Sequence, residues 1–295
     1  MNPPDFLDLE QIATSFGRAA AEYEKYAHLQ QTIAANLLER VQQLNLKPQV
    51  IVDVGSGSGY VARHLAASYP TAQVYHLDIA FPMLKQAQRQ IKPKFSFFTQ
   101  SKQHFICSDA AHLPIATAQV DLVVSNLMLQ WCNDIEQVVS EWARVLRPEG
   151  ALLFTTFGLD TLQELRSCWA QVDTNSHLNH FFDMHELGNA LFQTGLATPV
   201  MDTEWLTQHY ATVKNLMQAL KAIGAHNVTA MRPRGLTGKQ KFAELIQHYE
   251  SHRTAAGLPA TYEVIYGYAR GRKIEQQVKQ QDGSVIIPIT QINHK

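Results

Sequence analysis

Hydrophobic positions along this chain alternate between two rhythms. From about Gln11 to Gln43 they recur at helical spacing, with Ile33, Leu37, Leu38 and Val41 on one face, which predicts one helix over that span. The lysine-proline pair of "KPQVIVDV" interrupts it, and Val50–Val54 follow as an almost wholly apolar run. Such runs suit parallel strands, whose two faces are both covered. The alternation then continues: "AQVYHLD", "FICSD", "VDLVVSN" and "ALLFTTF" read as strands, and "PMLKQAQRQI" as a helix. "DIEQVVSEWARVLRPEG" reads as a second helix, with Asp134 near its start and Pro148 and Gly150 past its end. Two later strands, "TPVMDTEWLTQHY" and "TYEVIYGYAR", enclose helical "ATVKNLMQALKAIGA" and "KQKFAELIQHYESHRTA".

Strands alternating with helices predict an α/β fold with a doubly wound, mostly parallel sheet. Residues 1–44 form a helical segment ahead of a main domain spanning 45–272. An insertion at about 158–194, rich in His, Asn, Phe and Trp, is expected to lie as helices over the strand ends. A basic insertion occupies about 224–241, and the polar tail 273–295, with one apolar run in "GSVIIPI", has no assigned role.

Composition narrows the function. With 45% hydrophobic residues among 295, the chain folds as a globular protein. Its 25 basic and 26 acidic side chains leave a net charge of −1, which argues against a general nucleic-acid binder. No apolar stretch approaches the ~20 residues of a membrane helix, and the first residues carry no signal-peptide pattern. Cys107, Cys132 and Cys168 form no CxxC pair, so neither a disulfide framework nor a metal site is expected, and a reducing cytoplasm fits best.

The chemistry concentrates where Val50–Val54 run into "GSGSG". A dinucleotide-binding turn reads G-x-G-x-x-G, whereas here Gly55, Gly57 and Gly59 give G-x-G-x-G, with Tyr60 at the position of the third glycine. Asp53 at the strand end would repel a pyrophosphate but accept hydrogen bonds from an ammonium group. A cofactor with a cationic amino-acid end and a nucleoside end suits this turn, and S-adenosyl-L-methionine is such a molecule. Asp53, Gly55, Ser56, Gly57 and Gly59 would hold its methionine portion. Asp78 with Ile79 would take the ribose, Asp109 with Ala110 the adenine, and Asn126 would stand beside the departing methyl. These acids and Asn126 end successive strands, the ligand edge of an open α/β sheet.

"DVGSGSG", "LD", "SDAAHLP", "SNLMLQW" and "RVLRPEGALLFTTFG" resemble the class I adenosylmethionine-dependent methyltransferases over about residues 45–157. The resemblance implies a seven-stranded sheet with the N-terminal segment as a lid. "SFGRAAAEYEKYAHLQ", "NLMLQWCND", "TTFGLDTLQELR", "HLNHFFDMHELG" and "LKAIGAHNVTAMRPRGLTG" are similar, more narrowly, to the malonyl-acyl carrier protein O-methyltransferases of biotin synthesis, from about Phe16 to Tyr268. The implied reaction methylates the free carboxylate of a malonyl thioester. That carboxylate is already ionised at pH 7, so no general base is expected. An arginine fork would orient it. Arg166 in the covering insertion and Arg18 on the lid are the candidates, because Arg144 and Arg147 fit pairing at a helix end better. Tyr23 would place a hydroxyl near the reacting oxygen. Gln130, Trp131, Asn179 and His180 would line the acceptor site. The implied partner is acyl carrier protein, or coenzyme A as carrier, with Arg232, Arg234, Lys239 and Lys241 as the dock for an acidic surface. Two other readings stay open: methylation of another small carboxylate or a quinone, and an assembly factor on this fold that transfers no methyl.

Overall fold

The computed structural model describes residues 6–91, 102–179, 181–225, 227–228 and 238–272, with the backbone of 278–279 and 285–286. Seven strands form one sheet: β1 Val50–Val54, β2 Gln73–Asp78, β3 Gln103–Cys107, β4 Val120–Asn126, β5 Leu146–Phe157, β6 Ala197–Tyr210 and β7 Leu258–Arg270. Their spatial order is β3-β2-β1-β4-β5-β7-β6. The first five are parallel, whereas β7 runs antiparallel to both β5 and β6. The order reverses between β1 and β4, which opens a crevice at their C-terminal ends.

The apolar strand runs follow from cover on both sides. Val52, Val54, Leu152 and Phe154 pack against α6 Ile135–Val145 and α8 Met184–Gln193, through Val138, Trp142, Leu187 and Leu191. Their neighbours Ile51, Leu122, Val124 and Leu153 face the other way, against Leu37, Val41 and Leu65 of α3 His28–Gln43 and α4 Tyr60–Ser68. Of the insertion expected over the strand ends, α8 therefore lies on a sheet face, while α7 Gln163–Ala170 packs near the far ends of β6 and β7. There, β6 and β7 continue their pairing beyond Phe157, the end of β5, from Trp205↔Glu263 to Tyr210↔Leu258. Helices α9 Val213–Ala222 and α10 Lys239–Glu250 join α7 on this extension.

The N-terminal segment departs from the single helix its periodicity predicts. It breaks into α1 Leu9–Ala19, α2 Tyr23–Tyr26 and α3. Nothing in "AAAEYEKYA" forbids a helix; tertiary contacts override propensity here. Ala20 is buried against Ala80 and Met83 beside α5 Phe81–Gln90. Glu24 is drawn the other way, where its carboxylate accepts from Ser58 Oγ at 2.8 Å, Arg63 at 2.7 Å and Gln90 at 3.1 Å. Segments 278–279 and 285–286 pair as a separate antiparallel ribbon.

Close packing between β5 and β7 depends on Gly267, where a Cβ would lie 2.2 Å from the buried Phe154 ring. Gly267→Ala is expected to destabilise the protein by about 1–3 kcal/mol through overpacking, read as a lower urea midpoint with an unchanged slope.

Candidate active site

Three cavities adjoin at the C-terminal edge of the parallel strands. The first, about 300 Å³, is bounded by Gly55 after β1, Asp78 ending β2, Asp109 after β3 and Asn126 ending β4, and is roofed by Ile12, Phe16 and Tyr23. A smaller one, about 50 Å³, lies behind the glycine turn between Asp53, Ser56 and Glu24. The third, about 400 Å³ and mostly apolar, runs beneath α7 and α9 towards Tyr210 and Tyr262. Phe16, Tyr23, Leu127 and Trp131 line both large cavities and form the wall between them.

The turn that separates β1 from α4 is held by its backbone. Gly55 and Ser56 both donate N–H to the Leu77 carbonyl at 2.8 Å. Gly57 donates to Asp78 Oδ2 at 2.8 Å, and Ala80 donates to Asp78 Oδ1 at 2.7 Å. Gly55 has φ +73°, and a Cβ there would overlap the Met128 side chain at 2.3 Å, so only glycine fits. A Cβ on Gly57 would meet no protein atom within 4 Å, because that residue faces cavity space. Gly59 plays another part. It precedes α4 at φ +80°, and a Cβ there would crowd Ala87 and the His76 ring. It lines none of the three cavities and acts on the backbone alone.

Charge is divided sharply between the cavities. Those flanking the glycine turn hold Asp53, Asp78, Asp109, Asp134 and Glu24, with no basic residue among the described residues. Among the described residues the third has no acidic side chain, and its basic ones are His177 and Lys221. Burial pushes Asp53 up to about 7, although the Ala62 N–H donates to it at 3.0 Å. Burial also pushes Asp78 up to about 6, against its two backbone hydrogen bonds. Both shifts mark a place that lacks a positive charge. Tyr23 is held well above the usual phenol range by burial and by Asp78 and Glu24, so it keeps its proton and can donate. Cys132, on the first cavity, is pushed up to about 12 by burial, which suppresses the thiolate that would compete for a methyl group.

At the dividing wall, Asn126 Oδ1 accepts from Thr155 Oγ1 at 2.8 Å, and its amide donates to the Gln30 carbonyl. Leu127, next along, sits at φ +54°, its N–H bonded to the Thr155 carbonyl and hydroxyl oxygens. A strained leucine fixed this way is a feature of functional walls. Trp131 meets the Phe16 ring edge-on, with centroids 5.1 Å apart.

The structure therefore gathers most of the residues singled out from the sequence. Asp53, Gly55, Ser56, Gly57, Asp78, Ile79, Asp109, Ala110 and Asn126 surround the first two cavities. Gln130, Trp131 and Asn179 line the third, with Tyr23 on all three. The arginine expectations need correction. Arg18 is exposed at the last turn of α1 and lines no cavity. Arg166 turns outward, with its guanidinium donating to the Leu159 and Thr161 carbonyls, so its fork serves the β5–α7 loop. Arg144 pairs with Glu141 and donates to the Ile115 and Leu113 carbonyls, whereas Arg147 lies in β5 and not at a helix end, and pairs with Asp121 of β4. Lys241 is taken by Asp173 at 2.7 Å and is not a free docking charge; Lys239 is exposed. His180, Arg232 and Arg234 lie outside the described residues. Sequence reasoning missed Phe16, Leu127 and Cys132, whose apolar character offered no sign beyond core packing, and His177, one of 13 scattered histidines.

Residues 52–154 match the family model of a methyltransferase domain. A curated relative from Gallionella capsiferriformans, a malonyl-[acyl-carrier protein] O-methyltransferase, is 46% identical over 89% of this chain and 91% of its own. Another of the same name, from Halorhodospira halophila, is 36% identical over 100% of this chain and 99% of its own. The chain belongs to the malonyl-[acyl-carrier protein] O-methyltransferase family. Among solved structures, the YcgJ protein of Bacillus subtilis superposes with a TM-score of 0.55 at 15% identity, over 80% of this chain and 98% of that one. Phosphoethanolamine N-methyltransferase 2 of Haemonchus contortus, solved with S-adenosylhomocysteine, gives 0.51 at 16% identity, over 81% of this chain and 53% of that one. These likenesses establish the class I methyltransferase fold.

S-adenosylmethionine is the cofactor of this family's domain, and the residues present fit it. Asp53 and Asp78 beside the turn have no cationic partner among the described residues, Glu24 being the one taken by Arg63; Gly57 leaves open space, and the buried Ser56 hydroxyl has no hydrogen-bond partner among the described residues. Asp53 and Ser56 could hold its ammonium end, Asp78 with Ile79 its ribose, and Asp109 with Ala110 its adenine, since all of them line these two cavities.

Two measurements follow from this arrangement. With folded-state values raised to about 7 and 6, Asp53 and Asp78 favour the ligand-free fold while neutral, a contribution complete below about pH 4 and lost as pH rises through those values. A cationic ligand needs them ionised. Adenosylmethionine affinity is therefore expected to strengthen by about tenfold or more between pH 5.5 and 7.5 in calorimetric titrations, while the melting temperature of the ligand-free protein falls. Separately, Glu24→Ala removes the tie between α2, the glycine turn, α4 and α5. It is expected to weaken adenosylhomocysteine binding by about tenfold and to speed proteolysis within the first 30 residues.

Proposed function

We propose that this protein transfers a methyl group from S-adenosylmethionine to the free carboxylate of malonyl-acyl carrier protein, yielding the malonyl methyl ester that primes pimeloyl synthesis for biotin. The observation that carries this reading is the charge division: among the described residues, a cavity whose charged side chains are all acidic, fit for a cation, shares one wall with a cavity that has no acidic side chain and suits an anion. The family's other members bear the name of this reaction.

Bound adenosylmethionine supplies an electrophilic methyl on a sulfonium. The chain must bring a carboxylate oxygen to it with water excluded. A malonyl carboxylate is ionised at neutral pH, so no group here must abstract a proton, and none of the histidines is required as a base. Bringing opposite charges together neutralises both in the transition state, so stripping water from each favours the reaction. Phe16, Leu127 and Trp131 supply that dry passage. The Tyr23 hydroxyl, kept protonated, orients the acceptor oxygen, and alignment of this kind lowers barriers by several kcal/mol. The acceptor cavity reaches from this wall to Asn227 and Ala225 near α9, the side proposed for the thioester arm. Lys239 and the neighbouring Arg232 and Arg234 are the proposed dock for the acidic carrier, and the cytoplasm is the compartment this chemistry implies.

The test incubates purified protein with adenosylmethionine and malonyl-acyl carrier protein, followed by mass spectrometry of the intact carrier. One methyl group is expected on the malonyl carrier and none on the acetyl carrier. Asp53→Ala abolishes the gain, and Tyr23→Phe lowers kcat at least about tenfold, the loss of roughly 1.4 kcal/mol of orientation. Cofactor binding without methyl gain would shift the reading to another small acceptor or to an assembly role.

A further inference from the structure

Among the described residues the acceptor cavity has no arginine for a carboxylate to meet, and one corner of it is built around a histidine. His177, in the loop between α7 and α8, lines that cavity with its ring stacked on Trp169 at 3.6 Å and 7°. Its Nε2 lies 2.7 Å from Asp173 Oδ1; a carboxylate can only accept, so Nε2–H donates. The other Asp173 oxygen receives Lys241 of α10 at 2.7 Å, and the Asn175 N–H donates to Oδ1. Lys241 first, and then His177, hold the Asp173 carboxyl well below the usual carboxylate range. The ring is thus clamped on one face by an indole and at one nitrogen by a permanent carboxylate, while Nδ1 has no hydrogen-bond partner among the described residues. An indole face and a carboxylate are both favourable surroundings for an imidazolium. Among the described residues the other basic side chain on the cavity wall is Lys221 of α9.

We propose that His177 is the anion-binding residue of the acceptor site, presenting an imidazolium N–H to the negative group of the acceptor, with Asp173 and Trp169 as its positioning residues. This rests on the reading that the acceptor is a malonyl thioester. Two anions on that substrate share the required chemistry: the acyl carboxylate, and the phosphodiester of the carrier's prosthetic arm. His177 takes the part assigned from the sequence to Arg18 or Arg166. It does so without the fork of an arginine, leaving one acceptor oxygen free to meet the methyl.

The experiment compares wild type, His177→Gln and Asp173→Asn with two acceptors, malonyl-acyl carrier protein and malonyl-N-acetylcysteamine, which has no phosphate. His177→Gln is expected to raise KM by about tenfold while changing kcat less, and Asp173→Asn, which removes only the clamping charge, to raise it about threefold. A rise with both acceptors assigns the carboxylate; a rise with the carrier alone assigns the phosphodiester. Malonate binding to protein loaded with adenosylhomocysteine, measured by calorimetry, gives a second reading that needs no turnover. If wild type methylates neither thioester, the functional reading fails, and a malonate or inorganic phosphate affinity that falls in His177→Gln still upholds the anion site. Adenosylhomocysteine binding reports folding for each variant. KM and malonate affinity within twofold of wild type, in either variant that still binds adenosylhomocysteine, would overturn the proposal.

Discussion

The buried carboxylates at the strand ends are the constraint around which the site is organised. Burial alone makes Asp53 and Asp78 costly as anions, and raised values of about 7 and 6 record that cost. Protein cations would relieve it, yet none is supplied among the described lining residues. The fold instead tethers the acids with backbone N–H groups from Gly57, Ala62 and Ala80, which hold them in place without neutralising them. A cationic ligand then completes the electrostatics, and the strained Gly55 turn and the clamped Leu127 stand around the space it needs. The acid-free cavity next door is the complement of the same constraint, because an anionic acceptor would be repelled by any carboxylate there.

Much of the frame was legible in the chain itself, for physical reasons specific to each element. Strands such as Val50–Val54 and Val120–Asn126 announced themselves because cover on both faces removes polar positions. The glycine turn and the acids after it were readable because a left-handed backbone and a charge at a strand end each restrict residue choice. The N-terminal helix misled because its break comes from Ala20 and Glu24 being held by distant partners, Ala80 and Met83 on one side and Ser58, Arg63 and Gln90 on the other. Local pattern carries no trace of such contacts.

The acceptor side was harder for the same reason. Arg166 looked suited to a carboxylate by residue type, but the direction of a long side chain depends on which carbonyls lie near, and Leu159 and Thr161 claim it. His177 and Asp173, four residues apart in a loop without regular periodicity, acquire meaning only when Trp169 and Lys241 close around them. Phe16 and Leu127 carry no chemical signature at all, since a wall between two cavities and an ordinary core demand the same apolar surface.

Tyr23 belongs to the walls of all three cavities at once. A ligand in any of them restrains the same ring and the same short helix, which the adjacent Glu24 anchors. Whatever free energy one ligand spends in ordering that ring is not required again by the next. Two substrates ordering the same side chain would be thermodynamically linked through it, and reciprocity would make the effect equal in both directions. Shared contact with Tyr23 would thus couple cofactor and acceptor even where no atom of one touches the other before the methyl moves.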